Sequence, residues 1–112
     1  MKVIIPGHRY EAAHLDGSGV QIIQFVDRDH GHDTEGTTCQ ELIRILIDRI
    51  QFLDKEVPSE FNDKIVHHAR MMLINFEARA LIRKTEKGKL KPECLAMNGD
   101  DLHIKLTFDT ED

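Results

Sequence analysis

Two helical periods joined by a turn of four residues constrain this chain more than any other feature. In the first, Cys39, Leu42, Ile43, Leu46, Ile47, Ile50 and Leu53 recur at steps of three and four. At about 100° per residue such steps gather side chains on one face of a helix. Thr37 and Thr38 signal the start, and Thr38 with Glu41 reads as a capping box that satisfies otherwise unpartnered backbone N–H groups. In the second segment Ile65, Ala69, Met72, Leu73, Phe76 and Ala80 repeat the spacing, entered through Pro58 and Ser59. A turn confined to Lys55–Pro58 leaves an antiparallel pair as the only arrangement.

Around this hairpin the rest of the chain predicts an α+β fold. Lys2 to Pro6 reads as one buried strand closed by Pro6 and Gly7. Tyr10 to Leu15 and Val20 to Val26, separated by Asp16–Gly19, read as an antiparallel β-hairpin. Asp27 to Glu35 is a polar connector without a period. Beyond a basic exit from Thr85 to Pro92, residues 102–108 alternate apolar and polar as an extra C-terminal strand with one buried face. The organisation expected is one domain over 1–112: a β region and connector over 1–35, the helical hairpin over 36–86, and a C-terminal extension over 87–112.

A chain of 112 residues buries a modest core and sits near the size at which self-association adds stability. Its net charge of −5 argues against binding nucleic acid polymer, which needs clustered cations to displace counterions. Basic residues do cluster from Arg79 to Lys91, which leaves room for a small anionic partner. Cys39 and Cys94 lack metal-type spacing and read as reduced thiols of a cytosolic protein, Cys39 on the apolar helical face. No apolar run reaches the roughly 20 residues that cross a membrane, and no signal-peptide pattern opens the chain, so a soluble intracellular protein is expected.

Candidate chemistry is sparse. Asp29, His30, His32 and Asp33 carry groups that bind transition metals, but with unspecific spacing in a loop that is more simply read as solvated. His67 and His68 are adjacent on a helix and point about 100° apart, so both cannot face one ion. No Ser or Cys lies in a nucleophile elbow and no carboxylate pair stands out, so neither catalysis nor a cofactor is expected. Gly17 and Gly19 resemble part of a phosphate loop, but no helix follows, and a β-turn is the simpler reading.

The second helix is more informative. Counted from Ile65, Asn62 falls at about +60°, Arg79 at about −40° and Arg83 at about 0°, all on the expected apolar stripe. With helices of about 17 and 25 residues, the second overhangs the first by roughly 12 Å, and both arginines occupy the overhang. They either snorkel and meet the negative helix end, or form a two-pronged clamp for phosphate oxygens. Phe52 points away from the stripe of the first helix beside Ile45. With Met71, Ile74 and Leu81 off the second stripe, it suggests a further packed surface, as between hairpins of an oligomer.

Residues 1 to about 85 resemble the small phage proteins that sequester immune signalling nucleotides, the Thoeris anti-defence sponges and their relatives that counter cyclic-oligonucleotide (CBASS) defence. The resemblance runs through Gly7-His8-Arg9-Tyr10-Glu11, Gln24-Phe25, Gly36-Thr37-Thr38, Leu46-Ile47-Asp48-Arg49, Pro58, Asn62, His68, Leu73, Arg79 and Arg83. It implies a β-hairpin followed by two helices, homodimers or hexamers built as trimers of dimers, and non-covalent capture of glycocyclic ADP-ribose without cleavage. It also implies cyclic di- or trinucleotides as ligands of some members and the host bacterial cytoplasm as location. By position, Phe52 would stack on the base, and Asn62, Arg79 and Arg83 would hold ribose and phosphate. Thr85-Glu86-Lys87 departs from the basic run of relatives, and the tail from Lys91 to Asp112 has no counterpart.

Asn62 and Arg79 are 17 positions apart, about 25 Å along one helix, so one ligand meets all four residues only if two antiparallel chains supply them. Two readings of other classes compete: a small metal-dependent nucleotide hydrolase using the connector histidines, and an interaction protein without a small ligand.

Overall fold

A computed structural model describes residues 1–28 and 33–86 and, beyond them, the strands Leu95–Asn98 and Asp101–Ile104. The architecture is α+β. Three strands, β1 (Lys2–Ile5), β2 (Arg9–Ala13) and β3 (Val20–Gln24), form an antiparallel meander in that order. They are followed by the helices α1 (Cys39–Glu56) and α2 (Glu60–Glu86) and by the antiparallel pair β4 (Leu95–Asn98) and β5 (Asp101–Ile104). Most of the expected C-terminal strand 102–108 lies outside the described residues. The chain divides into two units, Met1–Leu42 and Ile43–Asp112.

In the first unit, Pro6 and Gly7 turn β1 into β2. His8 N–H donates to Ile5 O at 2.9 Å, and Gly7 takes φ 79°. Proline at the second turn position and glycine with positive φ at the third are the residues a type II turn demands. The β2–β3 register runs from Arg9 opposite Gln24 to Ala13 opposite Val20. The six residues between are closed by a His14 N–H to Gly19 O bond of 2.8 Å, so the Gly17 and Gly19 segment is a turn between strands. Directly opposed residues share a face. Val3, Tyr10 and Ile23 therefore lie on one side, and Lys2, Glu11 and Ile22 on the other.

The expectation that Lys2–Pro6 is a buried strand is not met. β1 is an edge strand with all four residues exposed, Val3 at 47 % and Ile5 at 42 %. An apolar run specifies a strand here without specifying burial.

Past β3 the chain doubles back, and Thr37 pairs in parallel with Phe25. Thr37 N–H donates to Gln24 O (2.8 Å) and Val26 N–H to Thr37 O (3.0 Å). Gly36 makes this approach possible, since a Cβ there would stand 2.4 Å from Gln24 O and 2.5 Å from the Phe25 carbonyl carbon. Tyr10 meets Phe25 edge to face, with centroids 5.9 Å apart. Arg9 Nε donates to Gln24 Oε1 at 2.6 Å, and Gln24 Nε2 donates to Phe25 O at 2.8 Å, so one amide links two strands and the connector.

The second unit holds α2 and all of α1 but its first turn. Thr38 caps α1 as expected, its Oγ1 accepting from Glu41 N–H at 3.1 Å. Ile43 and Ile47 of α1 pack with Val66, Ala69 and Leu73 of α2, flanked by Ile50 and Phe76. Each large aliphatic side chain buried this way contributes about 1.5–3 kcal/mol. Arg44 and Glu77 form an ion pair within this contact and are 8 % and 2 % exposed.

The buried faces differ from the expected stripes in phase. Cys39 and Leu46 of α1 are exposed, as are Ile65 and Met72 of α2, whereas Val66, Glu77 and Lys84 are buried. The buried arc of α2 is thus centred about 80° from Ile65, turned by about 50° from the mean direction of the expected stripe. Val66 joins the core where Ile65 and Met72 do not, which carries most of the shift, and the buried Glu77 and Lys84 extend the arc on the same side.

Two measurements test this arrangement. Gly36→Ala is expected to lower stability by on the order of 2 kcal/mol in urea unfolding, because backbone atoms rather than a flexible side chain occupy the Cβ position. Glu77→Ala is expected to cost on the order of 3 kcal/mol in the same measurement by removing the carboxylate that pairs with Arg44.

Candidate functional site

The tip of the hairpin is built around Asp54. α1 ends at Glu56, and three residues, Val57, Pro58 and Ser59, lead into α2. Ser59 caps α2, its Oγ accepting from Phe61 N–H at 3.2 Å, while Asn62 N–H donates to Ser59 O at 3.0 Å. Asp54, two residues before the end of α1, reaches across the tip. Its Oδ1 accepts from Ser59 N–H (3.1 Å) and from Asn62 Nδ2 (3.0 Å). The Asn62 amide, and then the Ser59 N–H, hold the Asp54 carboxyl below the usual aspartate range, because both bonds favour the charged form.

Beside this tip lies an open groove of about 630 Å³. Asp48, Gln51, Phe52 and Lys55 of α1 form one wall, and Asn62, Asp63, His67 and Arg70 of α2 the other. Phe52 is 54 % exposed where it lines this groove. Asp48, Asp54 and Asp63 oppose Lys55 and Arg70, three carboxylates against two cations, so the groove is not a site for phosphate on its own.

Phe52 and Asn62 are thus brought together on one groove. Arg79 and Arg83 are not part of it. Both are exposed on α2, a continuous helix of 27 residues, and Arg79 stands about 25 Å along the axis from Asn62. The expectation that Asn62, Arg79 and Arg83 share the core-facing stripe is corrected. Asn62 is half-buried near the centre of the buried arc, whereas Arg79 and Arg83 lie about 120° and 80° from it. α2, with 27 residues, is longer than α1, with 18, but the Arg44–Glu77 pair sets Cys39, five positions before Arg44, level with about residue 82, so α1 runs alongside Arg79 and the expected overhang of both arginines is not met.

Asp54 and the Asp48, Asp63, His67 and Arg70 walls were not legible as site residues. Asp54 had a usable signal, an acid preceding a Pro-Ser cap by four and five positions. Of the connector cluster, Asp29, His30 and His32 lie outside the described residues, and Asp33 is exposed, 3.6 Å from Arg28. Among the described residues no group of three or more His, Cys, Asp or Glu is placed to hold a metal ion. His67 and His68 meet edge to face at 5.6 Å, and both are exposed. No described helix is long and apolar enough to cross a membrane. Comparison of the chain with protein-family models, with curated proteins and with solved structures finds no match.

The Asp54 network carries a pH signature. Its folded pKa is depressed, so its contribution to stability is complete above the ordinary aspartate value near 4 and is lost as pH falls through the lower folded value. Urea midpoints of wild type and Asp54→Asn are expected to converge as pH drops from about 5 to 2; a gap that stays constant over that range contradicts the network.

Proposed function

We propose that this protein is a nucleotide sponge, a phage-encoded protein that captures a cyclic adenine-nucleotide signal without cleaving it and so blocks host Thoeris defence in the bacterial cytoplasm. Glycocyclic ADP-ribose is the ligand class favoured, with cyclic di- and trinucleotides of CBASS signalling as the alternative. The observation that carries the reading is the division of labour along α2. An exposed aromatic ring and an oriented amide share a groove at the hairpin tip, while two exposed guanidinium groups stand one turn apart near the other end.

A dinucleotide-sized ligand has a flat base and a doubly charged pyrophosphate. Phe52 suits the base, since stacking on an aromatic face is worth about 1–3 kcal/mol. Arg79 and Arg83 suit the pyrophosphate, because guanidinium groups pair with phosphate oxygens in bidentate fashion. The groove's surplus of carboxylates supports the same division, since the anionic end of the ligand needs cations from elsewhere. In an antiparallel homodimer the tip of one hairpin faces the free end of the other, and two equivalent pockets follow from the two-fold axis. The apolar residues exposed on both helices, among them Ile45 at 58 %, Met72 at 54 % and Ile74 at 59 %, offer material for that interface. Trimers of such dimers would extend the same assembly to hexamers.

Arg79→Ala is expected to weaken glycocyclic ADP-ribose binding by about 2 kcal/mol or more in calorimetry. The shared pocket gives a sharper outcome. Phe52→Ala and Arg79→Ala proteins each bind poorly alone, but subunits exchanged between them form a heterodimer with one pocket free of both substitutions, and tight binding returns. Recovery of intact ligand on heating separates capture from hydrolysis; a cleaved product contradicts the sponge reading.

A further inference from the structure

Asn62 can present a ligand with a donor or an acceptor, and which it presents is set by the rotation of its amide. Asp54 removes that freedom. A carboxylate held in its ionised form only accepts, so the Asn62 group 3.0 Å from Asp54 Oδ1 has to be Nδ2. The same oxygen is anchored by Ser59 N–H at 3.1 Å, in a turn closed by the Ser59 cap, so the carboxylate is itself held in place. Both Asp54 and Asn62 line the groove beside Phe52.

We infer that Asp54 is a positioning and specificity residue, which locks the Asn62 amide with its carbonyl Oδ1 as the acceptor offered to the ligand, so that the ligand group read there is a hydrogen-bond donor. This rests on the proposed nucleotide site and deepens it. A phosphate or a base carbonyl, both acceptors, is excluded from Asn62 Oδ1 and could meet this amide only through the second Nδ2 proton. The donor is a ribose hydroxyl or the exocyclic amino group of adenine, which share the chemistry Asn62 Oδ1 requires. A site built around one fixed acceptor discriminates strongly, because a ligand lacking the donor leaves a desolvated oxygen unpaired.

The test has one arm without ligand and one with it. In the first, the side-chain amide of Asn62 is observed by nitrogen-15 NMR in the wild type and in Asp54→Asn, which keeps the size but both donates and accepts. One Nδ2 proton displaced from the free-asparagine shift and slow to exchange with water is expected in the wild type, with both protons moving to the shifts and exchange of a free asparagine in the variant; spectra that do not differ overturn the inference whether or not any nucleotide binds.

In the second arm, calorimetry compares glycocyclic ADP-ribose with its hypoxanthine counterpart, in which a carbonyl replaces the amino donor, and with a deoxyribose analogue. Wild type is expected to reject one of the two by about tenfold or more, which identifies the donor. That ratio falls toward one in Asp54→Asn and in Asn62→Ala, and Asp54→Asn changes it no further once Asn62 is alanine. Ser59→Ala, which removes only the cap on Phe61 N–H, leaves the ratio intact. Discrimination that survives in Asp54→Asn, or a uniform loss for all three ligands, overturns the inference. Failure of wild type to bind any of the three refutes the proposed function instead, and the NMR arm still decides the amide.

Discussion

One uninterrupted helix sets the terms for everything else. α2 runs for 27 residues, about 40 Å, and holds Asn62 and Arg79 at a separation no single dinucleotide spans. Helices are stiff over this length, and no proline interrupts α2 to bend it. A functional site that uses both ends has to be composite. The antiparallel hairpin supplies the means, because pairing two such hairpins head to tail brings unlike ends together twice. The geometry therefore links the reading of the site to an assembly.

What holds the hairpin in register is a mixture of apolar packing and one buried charge pair. Ile43, Ile47, Val66, Ala69 and Leu73 form a small core, and apolar contacts alone tolerate sliding. Arg44 and Glu77 do not, since displacement by one turn would leave each ion buried without its counterpart. At the tip, Asp54 adds a second directional constraint by joining α1 to the first turn of α2 through Ser59 and Asn62. The positions Phe52 and Asn62 occupy on the groove follow from these two fixed points.

The sequence was informative where a residue's local chemistry decides its structure. The Thr38 and Ser59 caps, the Pro6-Gly7 turn and the hairpin were all legible, because each follows from neighbours a few positions away. It was less informative where a distant partner decides. Glu77 gives no local sign of burial until Arg44, 33 positions earlier, is set against it, and the apolar pattern does not tell that Val66, rather than Ile65 and Met72, meets α1, which sets the stripe on α2 about 50° from the buried arc. Arg79 and Arg83 were therefore assigned to a core-facing stripe that they do not occupy. β1 likewise shows its strand character in Val3, Ile4 and Ile5 but not its place at the sheet edge. Gly36 shows no local sign of its role, which lies in the contact with Gln24 and Phe25 that only folding creates.

The central claim is that two copies of the chain build one nucleotide pocket, and a crystal structure with glycocyclic ADP-ribose bound tests it most directly. The account predicts the base on Phe52, with Asn62 beside it, from one copy, and the pyrophosphate between Arg79 and Arg83 of another. A ligand held entirely by residues of a single chain, or one that leaves these four side chains untouched, would contradict it.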